Sequence, residues 1–218
     1  MTSRSRYHCV PLFGPPGVGK GTQGRMLGRI PGFFHLSVGD VFRSVDIGSV
    51  HGPEVHKYIS RGEFVPDDLA VSIWRKAVEA YVSLSCFKPG EDLLILDGMP
   101  RNVNQVQLIQ EDLEIHRVIF LKCSNEDDMV RRIRLRAVQE NRTDDADEGI
   151  IRRRFDIYRE VTAAVLKQYD PAIIFEVDAN GSPAEVLRAI LECLVPVQNK
   201  LFRSNLKPIG DQPQVGAP

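Results

Sequence analysis

The chain has 218 residues, 43% of them apolar, enough to bury one substantial core and to form one domain with insertions. Lys and Arg number 28 against 29 Asp and Glu, so overall charge gives no reason to expect nucleic acid or an anionic membrane as a partner. The opening Met-Thr-Ser-Arg-Ser-Arg leads into only about seven residues of mixed apolar character, too short and interrupted for a signal peptide or a membrane span, and a cytoplasmic protein is expected.

Taken along the chain, short apolar runs alternate with longer amphipathic segments, the pattern of strands and crossover helices around a parallel sheet. The predicted strands are Tyr7 to Phe13, Asp92 to Leu96, Arg117 to Lys122 and Ala172 to Val177. Near-continuous apolarity in Leu93-Leu94-Ile95-Leu96 and Val118-Ile119-Phe120-Leu121 fits strands covered on both faces. Apolar positions at three- and four-residue spacing predict helices near 20–30, 39–47, 52–61, 67–86, 102–113, 125–138, 147–169 and 183–195. Ser182-Pro183 reads as an N-cap followed by proline at the first helical position. In the segment 147–169, Ile151, Phe155, Tyr158, Thr162, Val165 and Tyr169 share one stripe, which is core rather than a cofactor box. From about residue 197 the periodicity fades into Pro, Gly and Gln, and a mobile or loosely docked tail over 197–218 is expected, with Leu201 and Phe202 able to pin its first turn. Cys9, Cys86, Cys123 and Cys193 lie far apart without a Cys-x-x-Cys pair, so neither a disulfide framework nor a zinc knuckle is indicated; four buried free thiols are expected.

The chemistry is concentrated in a few blocks. Gly14-Pro15-Pro16-Gly17-Val18-Gly19-Lys20-Gly21-Thr22 follows the first strand and opens the first helix. There, glycines let backbone amides turn toward phosphate oxygens, the helix N-terminus adds positive potential, and Lys20 reaches the terminal phosphates. The G-x-x-x-x-G-K spacing is met, but the next residue is Gly21 and the hydroxyl comes one place later, at Thr22. Asp97 stands at a predicted strand end, where a carboxylate can hold the water shell of a magnesium ion. Arg131, Arg132, Arg134, Arg136, Arg142, Arg152, Arg153 and Arg154 form an arginine-rich region. Such runs are usually solvated helix faces, but Arg132 and Arg136 are four apart and share a face, and the stretch from Ala137 to Asp147 is short and polar.

Gly-x-Pro-Gly-x-Gly-Lys-Gly-Thr resembles the phosphate loop of the adenylate kinases and their uridylate and cytidylate relatives, and four further blocks agree. His35 to Arg43 is similar to the block whose arginine holds the acceptor phosphate, and Gly62 to Asp67 resembles the segment lining the acceptor base. Leu96-Asp97-Gly98-Met99-Pro100-Arg101, with Gln105 four residues on, resembles the Asp-Gly-Phe-Pro-Arg block, and the arginine-rich region resembles the lid. The resemblance covers residues 7 to 195.

It implies an α/β fold of P-loop NTPase type, a parallel central sheet flanked by helices, in one kinase domain over 1–196 with an acceptor-binding insertion at about 37–66 and a short lid at about 137–147. It implies a monomeric phosphotransferase that moves the terminal phosphoryl group of magnesium-ATP onto AMP, with UMP or CMP kinase as the alternative within the family and a non-catalytic nucleotide-gated binding module as the alternative outside it. No zinc is implied, since the lid has no cysteine. By the same resemblance Gly17, Val18, Gly19, Lys20, Gly21, Thr22, Arg132, Arg136 and Gly181 bind ATP. Val38, Arg43, Glu63, Phe64, Val65, Gly98, Met99, Pro100, Arg101, Gln105, Arg142 and Arg154 bind AMP, Arg153 competing with Arg154 because the interval from Arg142 is one residue longer than usual. Lys20, Arg132, Arg136, Arg142 and Arg154 surround the transferring group, and Asp97 serves magnesium through water. Val38 stands where threonine is usual in adenylate kinases, while Gln105 matches them and Asn102 is more like the pyrimidine group.

Overall fold

A computed structural model of the chain describes residues 6–140, 145 and 147–202. Six parallel strands form one sheet, ordered β2 (Phe33–Ser37), β3 (Leu93–Asp97), β1 (Tyr7–Phe13), β5 (Val118–Lys122) and β6 (Ile174–Asp178), with the short β4 (Leu113–Ile115) pairing the first half of β1. Every residue of β3 is buried, and its side chains alternate between two cores as the pleat requires. Leu93 and Ile95 join Leu27, Ile133, Phe155 and Ile190 on one face, whereas Leu94 and Leu96 join Phe42, Val55 and Trp74 on the other. Helices therefore cover both faces. The chain passes from β1 to one side for β2 and β3 and to the other for β5 and β6, so a crevice opens at the carboxyl ends beside β1, where open parallel sheets place their ligands.

The helices are α1 (Lys20–Leu27), α2 (Val38–Arg43), α3 (Gly52–Ser60), α4 (Asp67–Ser83), α5 (Val103–Ile109), α6 (Glu126–Gln139), α7 (Glu148–Glu160) and α8 (Pro183–Phe202). Side-chain caps start several of them: Ser37, Asn102, Asn125 and Asp147 each accept from a backbone amide of the first turn. Ser182 and Glu185 form a reciprocal box at the start of α8, the hydroxyl accepting from the Glu185 amide and the carboxylate from the Ser182 amide at 2.8 Å.

Four features differ from the pattern read in the sequence. Strands β2 and β4 replace segments without a strand-like run, because their pairing is supplied by the neighbours β3 and β1 rather than by local preference. The helix expected over 147–169 stops at Glu160, and Thr162–Gln168 tightens to a 3₁₀ turn; the β-branched pair Val161-Thr162 sits at the break, while Val165 stays buried. Helix α8 continues past residue 197 to Phe202, which is 4% exposed and packs with the core, so the chain stays helical beyond the expected start of the tail. Residues 203–218, the rest of that expected tail, lie outside the described residues. Finally, Cys9 and Cys193 are buried, but Cys86, in the turn after α4, is exposed and Cys123, after β5, is partly so. No described helix is long and apolar enough to cross a membrane.

Docking of the last turn of α8 is testable. Phe202→Ala deletes a large side chain from the core edge and should lower unfolding free energy by about 3 kcal/mol, read from the urea midpoint at unchanged slope. A change below about 0.5 kcal/mol, the usual size of a surface substitution, would mean that this turn does not dock.

Candidate active site

Strand β1 ends at Phe13 and the chain turns through Gly14–Gly19 into α1. Gly17 has φ +77°, and a Cβ there would stand 2.5 Å from the Met129 carbonyl oxygen of α6, so the turn needs glycine for both conformation and space. Gly19 at the N-cap supplies no side-chain cap, which leaves the first amides of α1 to an anion. Lys20 Nζ folds back to donate to the carbonyls of Gly14 at 2.8 Å and Pro15 at 3.0 Å. Burial pushes its pKa down to about 8; Asp97 opposes this, and Arg101 and Arg136 add to it.

Asp97, the last residue of β3, is 8% exposed at the floor of the same crevice. Burial alone would raise its pKa, but the neighbouring His35 and the charges of Lys20 and Arg101 outweigh that and hold it below the usual carboxylate range. His35 Nε2 lies 3.9 Å from Asp97 Oδ2, a polar approach too long for a hydrogen bond. The ring reaches this place across α1 at Gly24, where an added Cβ would fall 2.2 Å from His35 Nε2. His35 is thus packed between strand and helix and braces the carboxylate.

Beyond β3, Gly98-Met99-Pro100-Arg101 turns away from the sheet. Arg101 Nε donates to the Gly98 carbonyl at 2.8 Å and its guanidinium stacks on Phe64, 5.3 Å from the ring centroid. Burial lowers the Arg101 pKa to about 10; Arg154 and Arg43 act in the same direction and Asp97 against it. Three guanidinium groups are therefore close enough to repel one another here, and Arg43 pairs with Asp40 at 3.0 Å on α2. Gln105 is 2% exposed: Oε1 accepts from the Arg101 amide and Nε2 donates to Asp67 Oδ1, both at 2.8 Å. Asp67 also accepts from Asn102 and Asn104 at 2.8 Å each. Partial burial would raise the Asp67 carboxyl, but these three amide donors hold it below its usual range. Val38 is fully buried and is absent from the crevice wall, whereas Glu63, Phe64, Val65, Gly98, Met99 and Pro100 line it.

Helices α6 and α7 divide their arginines between two environments. Arg131 pairs with Asp128 at 2.8 Å, Arg134 and Arg152 pair with Glu148, and Arg153 pairs with Glu63 at 2.9 Å. Arg132, Arg136 and Arg154 line the crevice. Asp145, 0% exposed, accepts from Arg136 at 2.5 Å and also binds Arg154, tying the two helices' cleft-facing cations together. Arg136 Nε is buried without a hydrogen-bond partner among the described residues, a donor left for an anion. Arg142, with the rest of 141–144, lies outside the described residues.

These parts surround one cleft of about 610 Å³. It brings together Gly17 through Thr22, Gly181, Arg43, Asp97, Arg101, Gln105 and the three cleft-facing arginines of α6 and α7. Sequence reasoning did not single out Asp67 or Asp145 as organisers. Each had a signal: Asn102, Asn104 and Gln105 crowd amide donors into four positions, and an acidic residue sits amid an arginine-rich block.

Comparison with known proteins bears on the same residues. A family profile described as adenylate kinase matches residues 12–173. The adenylate kinase of Pseudarthrobacter chlorophenolicus is 34% identical over 193 residues, spanning 86% of this chain and 96% of that protein. The Thermus thermophilus adenylate kinase is 35% identical over 85% of this chain and 96% of its own, and that of a Synechococcus species 39% identical over 78% and 90%. On that likeness, and on a parallel sheet with a phosphate loop at the end of its first strand, the chain belongs to the adenylate kinase family.

Proposed function

We propose that the chain transfers the γ-phosphoryl group of magnesium-ATP to AMP, giving two ADP. The observation that carries this is one cleft lined by the phosphate loop, by Arg43 and Arg101, and by Arg132, Arg136 and Arg154 of α6 and α7. A module that only bound nucleotide would need one phosphate site, not this many cations from separate elements. Amides of Gly17 through Thr22 and the ammonium of Lys20 hold the donor phosphates; Arg43 and Arg101 hold the acceptor phosphate. The acceptor's phosphate oxygen is already nucleophilic near neutral pH, so no general base is assigned. Rate comes from alignment and from neutralising charge on the transferring group, for which Arg132, Arg136 and Arg154 are suited as planar, permanently charged donors.

Asp97 fits a magnesium role: it is held ionised on the cleft floor beside Lys20 and Thr22. Magnesium, when bound, neutralises donor-phosphate charge. Recognition of the acceptor base rests on Gln105, whose amide is already oriented by Asp67 and the Arg101 backbone and retains one N–H and one lone pair. That donor and acceptor pair matches the amine and ring-nitrogen edge of adenine.

A coupled assay with magnesium-ATP against AMP, UMP, CMP and GMP should give the highest kcat/KM for AMP; a higher ratio for UMP or CMP would replace this reading with a pyrimidine nucleotide kinase. Arg154→Ala should lower kcat on the order of 10²–10³-fold, as loss of one preorganised charge-stabilising donor does. Arg153→Ala, which breaks the ion pair with Glu63, should stay within about tenfold, a change of about 1.4 kcal/mol. Equal losses in the two variants would contradict the assignment of Arg154 to the reacting group.

A further inference from the structure

At the end of the sheet opposite the cleft, three potential metal ligands meet. His8 and Glu114 are directly paired neighbours on β1 and β4, so their side chains share one face. His116 follows Glu114 by two residues and its amide donates to the Cys9 carbonyl at 3.1 Å, which brings its ring to the same place. His8 Nδ1 lies 2.9 Å from His116 Nε2 and 3.2 Å from Glu114 Oε2, and His116 Nε2 lies 3.8 Å from Glu114 Oε1. The imidazoles are partly buried, 29% and 19% exposed at their side chains, with the Phe202 ring 5.8 Å from His8 on the far side. We propose that His8, Glu114 and His116 form a binding site for a zinc-class transition-metal ion.

The spacing suits that ion. Zinc bonds nitrogen and carboxylate oxygen at about 2.0–2.2 Å, so tetrahedral ligands stand about 3.3–3.5 Å from one another; the two imidazole nitrogens are 2.9 Å apart, one Glu114 oxygen is 3.2 Å from His8 and the other is 3.8 Å from His116, each close to that edge. All the ligand atoms lie within 4.8 Å of each other without backbone movement. The positive charges of Lys200 and Arg117 act on His116 and oppose any cation electrostatically. Selection therefore rests on the coordination bond, which imidazole provides to zinc, cobalt or nickel and not usefully to magnesium or calcium. Two imidazoles and a carboxylate leave a fourth position for water. A bound ion would clip the start of β1 to the β4–β5 connection beside the last turn of α8. The cleft is served by the other end of β1, so the site is independent of phosphoryl transfer.

Without a metal the same contacts form a proton-sharing His–His–Glu cluster, and the test separates the two. Zinc chloride and cobalt chloride are titrated separately into the full chain without nucleotide, following calorimetric heat, melting temperature and the visible absorption of cobalt. The expected result is one tight site, a raised melting temperature, and a cobalt spectrum of nitrogen and oxygen ligands without a thiolate charge-transfer band. His8→Gln and His116→Gln should each weaken zinc binding at least ~10–100-fold, no less than loss of an outer-shell partner costs, while keeping wild-type magnesium-dependent activity. Cys86→Ser and Cys123→Ser should leave binding unchanged. Unaltered zinc affinity in both histidine variants, a thiolate band, or the absence of any heat with wild type would overturn the proposal.

Discussion

Mutual repulsion among cations is the constraint around which this molecule is arranged. Lys20, Arg43, Arg101, Arg132, Arg136 and Arg154 line one cleft, and the lowered pKa values of Lys20 and Arg101 record both their burial and their neighbours. Two buried carboxylates are set among them. Asp97 answers Lys20 and Arg101 from the sheet, and Asp145 ties Arg136 to Arg154. Positive charge stays in excess along the cleft, which suits nucleotide phosphates, and Arg136 Nε has no hydrogen-bond partner among the described residues. A site already organised in this way need not reorient its dipoles when charge moves in the transition state.

The scaffold makes this affordable by fixing each group from a different element. Lys20 comes from the turn after β1, Asp97 from the end of β3, Arg43 from α2, Arg136 from α6 and Arg154 from α7. Parallel strands buried on both faces hold the first two at the carboxyl end of the sheet. Asp67 does the corresponding work beside Arg101, gathering Asn102, Asn104 and Gln105 and so fixing the Gln105 amide.

Much of this was legible in the residues because the chemistry is written in contiguous blocks. The phosphate loop, the Asp97 to Arg101 turn and the apolar run of β3 each announce themselves over a few positions. What was not legible depends on distant partners. Strand β4 has three residues and exists because Tyr7 to Cys9 offers it hydrogen bonds. The break at Val161 interrupts a stripe whose apolar spacing continues through it. Periodicity cannot separate Arg153 from Arg154; the partner does, since Arg153 finds Glu63 while Arg154 turns to Asp145 and the cleft. Val38, expected at the acceptor by its place in a block, is fully buried. Asp145 needed the fold, because its role is to join two helices.

The cost of holding charge in the cleft can be measured at Lys20. Its pKa of about 8 in the folded chain lies below the value of about 10.4 in an unfolded one, which corresponds to on the order of 3 kcal/mol against folding with the proton on. Below about pH 8 both states carry the proton and the cost is fully present. Above it the folded state releases the proton while the unfolded state keeps it, so stability from this group rises with pH. Lys20→Met removes the charge and loses two hydrogen bonds worth about 1 kcal/mol each. The decisive measurement is unfolding free energy of wild type and Lys20→Met between pH 7 and 9.5, without nucleotide and with magnesium-ATP. The account predicts a nucleotide-free variant at least as stable as wild type at pH 7, an advantage that shrinks above pH 8, and a reversed order once magnesium-ATP stabilises wild type alone. A variant that is less stable by the same amount at every pH, and equally stabilised by magnesium-ATP, would contradict it.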